Sequence, residues 1–215
     1  MNTGSIKSAG LATLDSICRV LDSPRRPLDF TLALHLKQAP EVESLRAGAQ
    51  SARNLYATTG AHIRGNKWVR SAPPEAGLEA IEVHSRAQLE TAGKAFVDGP
   101  FELRSQMPVQ QLLIKEKGGG KAQLLTRFHH AAADYISAML WLRHQFEVGA
   151  GHRRPTATAA PFRALELRRH AAPVKKSPFA YCGPAQRLRR QGTRPGRARR
   201  WHSIQLPAAE LRKSV

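Results

Sequence analysis

Phe128-His129-His130-Ala131-Ala132-Ala133-Asp134-Tyr135 is the stretch on which the reading of this chain turns. Before it, residues 122–128 are an apolar run; after it, residues 131–146 (AAADYISAMLWLRHQF) are helix-favouring and apolar on most sides, which predicts a largely buried helix. The two histidines therefore fall at a strand-to-helix junction, on a loop held by rigid elements. There an imidazole can take a proton from an alcohol, amine or thiol. Neighbouring side chains at a strand end point to opposite sides, so one of His129 and His130 faces a pocket while the other packs. Asp134 lies near the helix start, where a carboxylate caps backbone N–H groups or pairs with an arginine.

Upstream, residues 108–115 form a second apolar run. The glycine-rich connection Glu116-Lys117-Gly118-Gly119-Gly120-Lys121 between the two runs reads as a hairpin. Residues 11–22 suit a short helix that Ser23-Pro24-Arg25-Arg26-Pro27 interrupts. Residues 30–37 (FTLALHLK) alternate as a strand, with Phe30, Leu32, Leu34 and Leu36 on one side. Over residues 40–55, Val42, Leu45, Ala49, Ala52 and Leu55 share one helical face. Weaker strand signals cover 63–69 and 80–84 around a Pro73-Pro74 loop, and 86–97 reads as another helix. Strands and helices alternate, so the expected class is α/β. No internal repeat is visible.

The chain has 215 residues and a formal charge of +18, from 34 Lys and Arg against 16 Asp and Glu. A charge of that size points to a polyanionic partner until its distribution is read. Residues 151–200 hold 14 basic residues and one acid, Glu166, a net +13 that leaves only +5 for all the rest. This Pro-, Arg- and Ala-rich tract lacks apolar periodicity and reads as a disordered linker, with nucleic-acid contact as the lesser expectation. Residues 201–206 (WHSIQL) resume strand-like alternation. Cys18 and Cys182 stand far apart with no ligand spacing, which argues against a disulfide framework or a zinc site. With no signal-like start and no apolar run of membrane-spanning length, the expected location is the cytoplasm.

The segment at 129–134 resembles the HHxxxDG motif of chloramphenicol acetyltransferase-like enzymes, peptide-synthetase condensation domains, BAHD acyltransferases and the wax ester synthase/diacylglycerol acyltransferase group. Its two histidines and its aspartate match. Asp98-Gly99-Pro100-Phe101-Glu102-Leu103, with Pro108-Val109-Gln110-Gln111-Leu112-Leu113-Ile114, is similar to the stretch leading into the motif in condensation-type domains. The resemblance implies a two-layer acetyltransferase-like lobe with a mixed sheet and helices on one face, covering residues 1–150. It implies His130 as the catalytic base, with His129 and Asp134 structural at the site. The acyl group would pass from a CoA or carrier-protein thioester directly to a hydroxyl or amine on a small acceptor, with no further cofactor. The likeness also makes 201–215 the opening of a second lobe whose remainder would be a partner polypeptide.

Tyr135 departs from the motif's glycine and sets a ring where the family has none, which is expected to narrow the substrate channel. A metal reading of the i, i+4 pair His130 and Asp134 lacks a third ligand. The rival to catalysis is a binding module, a lobe of this type whose basic tail contacts nucleic acid or a protein. His144, His152, His170 and His202 have no recognisable partners in the sequence.

Overall fold

Among the described residues these strands and α-helices follow one another: β1 (Ser8–Gly10), α1 (Thr13–Leu21), β2 (Asp29–Leu36), α2 (Val42–Leu55), β3 (His62–Arg64), β4 (Lys67–Val69), β5 (Leu78–Val83), α3 (Arg86–Asp98), β6 (Val109–Glu116), β7 (Ala122–His129) and α4 (Tyr135–Gly149). They come from a computed structural model that describes residues 8–158 apart from 12, 24–26, 71–76, 102, 105 and 119. The Pro73-Pro74 loop, the basic tract beyond 158 and the stretch 201–215 lie outside the described residues.

The glycine-rich hairpin is the centre of the main sheet. β6 and β7 pair antiparallel, with Val109 opposite Phe128 and Leu113 opposite Leu124. Gly118 and Gly120 take positive φ values of 73° and 65° in the turn, where a side chain would be strained. β2 joins β7 antiparallel, Phe30 opposite Phe128, and β5 joins β6 in parallel through α3. The strand order is β2-β7-β6-β5, a mixed sheet. A smaller antiparallel sheet, β1-β4-β3, stands with α1 around a core of Cys18, Ile63, Trp68, Leu103 and Ala131.

The period of two in β7 allots its residues to two faces. Leu124, Thr126 and Phe128 point to the side of α2 and α4, with Phe30, Leu32, Leu34, Val109 and Leu113. Leu125 points the other way, into a cluster with Leu112, Ile114, Val83 and the α3 residues Leu89, Ala92 and Phe96. The α/β class and mixed sheet are as expected, but the layering is not. Helices cover both faces of the sheet instead of one, because its central strands are apolar on both sides and each side needs cover.

α2 and α4 meet closely. A Cβ on Gly48 would lie 2.2 Å from the carbonyl oxygen of Gln145, so only glycine fits there. Next to this crossing the Gln111 and Gln145 amides exchange hydrogen bonds of 2.8 and 2.9 Å, and Gln111 also donates to Thr126 Oγ1. The pair fixes the rotation of α4 against β6. Leu55, expected on the buried face of α2, is instead 37% exposed at the last turn, where the chain peels away into a 3-10 turn, Ala57–Gly60.

The long apolar helix also differs from its expectation. It begins at Tyr135, not Ala131, because the N–H groups of Ala132 and Ala133 turn back onto the His129 carbonyl and Asp134 adopts the extended backbone of an N-cap. Its burial is one-sided: Ala138, Trp141, Leu142 and Val148 are buried, whereas Tyr135, Ile136 and Leu140 are exposed. Among the described residues no helix is long and apolar enough to cross a membrane.

Candidate active site

The last residue of β7 and the next residue part company, as alternation requires. His129 turns inward and is fully buried, while His130 is exposed. His129 is engaged at both ring nitrogens. Nδ1 accepts the Ala131 N–H at 3.0 Å, which leaves the proton of the neutral ring on Nε2. Nε2 stands 3.3 Å from the Asp22 carboxylate, close enough for an electrostatic pairing but without the alignment of a hydrogen bond. Burial lowers the pKa of His129, with Asp22 and Asp29 opposing that shift.

His130 donates its backbone N–H to the Leu28 carbonyl at 2.9 Å, which extends the β2–β7 pairing by one step. Its ring rests on Phe30, with centroids 4.7 Å apart. The imidazole is thus backed by an aromatic wall and open on its other side. Asp134 accepts the Ser137 N–H through Oδ1 at 2.7 Å, and hydrogen bonding with the Ser137 side chain, then with its backbone, lowers the pKa of the carboxyl. It caps α4 and so sets where the helix begins. The structure therefore places His129, His130 and Asp134 on one turn, in three different situations: buried and paired, exposed on an aromatic wall, and capping.

Other contacts hold the turn from behind. Thr58 Oγ1 donates to the Ala132 carbonyl at 3.0 Å, and Trp141 Nε1 donates to Thr59 Oγ1 at 3.1 Å, which ties the 3-10 turn to both the loop and α4. Arg127, two residues before His129, is buried and ion-paired with Asp29. Its Nη1 donates to the carbonyls of Phe96 and Gly99 at 3.2 and 2.8 Å, and its guanidinium lies 4.8 Å above the Phe101 ring. That ring packs on His129 in turn, with centroids 5.8 Å apart. Phe101, within the stretch that resembles condensation-type domains, is thus a packing plate between Arg127 and His129. Sequence reading passed over Arg127 because an arginine in a strand ordinarily signals an exposed face; its only cue was its place in an otherwise apolar run.

Two further buried groups carried no sequence signal. His144 makes a 2.8 Å hydrogen bond with Ser51 Oγ and meets Arg153 at 3.1 Å on Nδ1. Arg153 can only donate, so Nδ1 accepts and Nε2–H donates to Ser51. Burial, then Arg153, lowers the pKa of this ring. Arg53 is buried near β6, where desolvation lowers its pKa to about 10. Among the described residues no group of three His, Cys, Asp or Glu side chains is arranged to hold a metal ion.

No protein-family model matches the chain, and no curated protein matches it in sequence. Solved structures do resemble it. The X-domain from teicoplanin biosynthesis matches 75% of this chain at a TM-score of 0.61 and 16% identity. The cyclization-docking bidomain of the EpoB peptide synthetase from Sorangium cellulosum matches 76% at a TM-score of 0.59 and 10% identity. The condensation domain of the Monacolin K polyketide synthase MokA matches 68% at a TM-score of 0.57 and 13% identity. The chain spans 37%, 36% and 35% of those three structures. Its fold is that of a lobe of the condensation-domain and chloramphenicol acetyltransferase-like group.

Proposed function

We propose that this lobe carries the base of an acyl transfer, with His130 as that base. The observation that supports the reading is the division of labour at the end of β7, where one imidazole is buried and engaged and its neighbour stands open on an aromatic wall. His130 would accept the proton of an acceptor hydroxyl or amine, which attacks the carbonyl carbon of an acyl thioester of CoA or of a carrier protein. The tetrahedral intermediate then collapses as the C–S bond breaks, and the thiolate takes the proton from His130. His129 and Asp134 would keep the turn in shape, and no cofactor beyond the acyl donor is required. Tyr135, half exposed at the first position of α4, would bear on which acceptor can approach.

A second polypeptide belongs to the same proposal. One structural neighbour, a teicoplanin X-domain, has been solved in complex with OxyB. A lobe that acts by binding such a partner, without chemistry of its own, is the second reading. Nucleic-acid contact rests on the basic tract alone.

The test measures thiol release from a panel of acyl-CoA donors with alcohol and amine acceptors, for the chain and its His130→Ala variant. Acceptor-dependent release that disappears in the variant supports catalysis; release that persists removes His130 as the base. No release from either, together with capture of a stable partner, favours the binding reading.

A further inference from the structure

We infer that Asp22, at the end of α1 and far from the histidines in sequence, is a positioning residue for the His129–His130 turn. One carboxylate serves two roles. Its Oδ1 accepts the Leu28 N–H at 2.9 Å, and its Oδ2 faces His129 Nε2 at 3.3 Å. Leu28 then passes the constraint on, since its carbonyl accepts the His130 N–H at 2.9 Å. Asp22 is itself held, as its N–H donates to the Cys18 carbonyl at 2.9 Å.

The consequence for His130 is geometric. Its ring lies against Phe30 while its backbone N–H is held by the Leu28 carbonyl, one step beyond the Asp29–His129 pair, so a shift of Leu28 loosens the backbone that carries the ring. The consequence for His129 is rotational. With Nδ1 taken by the Ala131 N–H, the Nε2–H side of the ring lies beside the Asp22 anion, so the ring is disfavoured from flipping. Asp29 and His130 are the other titratable groups that act on His129. Asp29 is ion-paired with Arg127, and the Asp22 carboxylate stands 3.3 Å from Nε2 of the ring.

This inference rests on reading His130 as the base, but two of its three readouts need no turnover. Amide hydrogen exchange is measured at His130 in the full chain and in the Asp22→Ala and Asp22→Asn variants. The expected result is exchange at least about tenfold faster in Asp22→Ala, and close to the parent in Asp22→Asn, whose amide oxygen still accepts from Leu28. The Leu125 amide in the sheet interior serves as the control and stays constant. By NMR titration, Asp22→Asn moves the His129 midpoint downward, because the anion favouring its protonated form is gone. In the acyl-transfer assay, Asp22→Ala lowers kcat more than it raises KM, and Asp22→Asn restores part of the loss.

Unchanged His130 exchange in Asp22→Ala, or an unmoved His129 midpoint in Asp22→Asn, overturns the inference. If Asp22→Ala does not fold, the midpoint in Asp22→Asn decides. A His130→Ala chain that still transfers acyl groups would defeat the assignment of the base while leaving both NMR results to judge Asp22.

Discussion

Arg127 and Asp29 form an ion pair in which the side chains are only 2% and 1% exposed, and Asp29 is also the cross-strand partner of His129. The pair therefore supports the candidate base's neighbour from beneath. Removing one partner leaves an uncompensated charge in a dry setting, so Arg127→Met or Asp29→Leu alone is expected to cost about 3–5 kcal/mol. The double variant should recover much of that loss. Denaturant midpoints of the two single variants and the double variant check it, and additive losses would count against a coupled pair.

The α2–α4 crossing leaves no room at Gly48. Gly48→Ala should destabilise the lobe by about 1–3 kcal/mol as the helices are pushed apart, although alanine is the better helix former. Thermal denaturation tests this, and a rise in Tm would mean that the crossing is looser than 2.2 Å implies.

His129 and His130 should respond unequally to truncation. His129→Ala empties a buried, two-sided contact and is expected to cost about 2–5 kcal/mol. His130→Ala removes an exposed ring and should change stability by no more than about 0.5 kcal/mol. Side-by-side unfolding curves settle the contrast independently of any activity.

Stability should fall on mild acidification. His129 and His144 both have pKa values lowered from 6.5, in each case first by burial. The unfolded chain thus binds more protons than the folded one as pH drops through the ordinary histidine range. Their contribution is complete above about pH 6.5 and is lost progressively below it. Denaturation at pH 7.5 and pH 5.5 should show the drop, and His144→Gln should make it smaller.

Asp134 can be tested as a cap apart from any catalytic part. Asp134→Ala should cost about 1 kcal/mol, and Asp134→Ser should retain most of the stability. If alanine is neutral, the 2.7 Å bond to Ser137 is not what begins α4.

Much of this was legible in the residues. Alternation located β2 and β7, the glycine run located the hairpin, and the strand-to-helix switch put His129 and His130 on opposite sides. What escaped were groups whose partners lie far away in sequence. Nothing local marks Arg127 as the mate of Asp29, 98 positions earlier, or His144 as the mate of Ser51, 93 positions earlier. The start of α4 was misplaced because Ala131, Ala132 and Ala133 are strong helix formers, yet His129's carbonyl and Asp134's cap took their backbone first. The second helical layer was missed because an apolar strand does not reveal whether one face or both are covered.

The pairing of β2 with β7 also sets a schedule for synthesis. Leu32 waits for Thr126, its partner 94 residues later, before β2 can join the sheet. At roughly 5–20 residues per second that interval is on the order of 5–20 s on the ribosome. Throughout it, an apolar strand with open backbone groups on both edges leaves the tunnel with nothing to pair with. A nascent chain of this design therefore depends on being shielded until β7 arrives, and a pause in translation between residues 36 and 122 should raise the insoluble fraction more than an equal pause after residue 150.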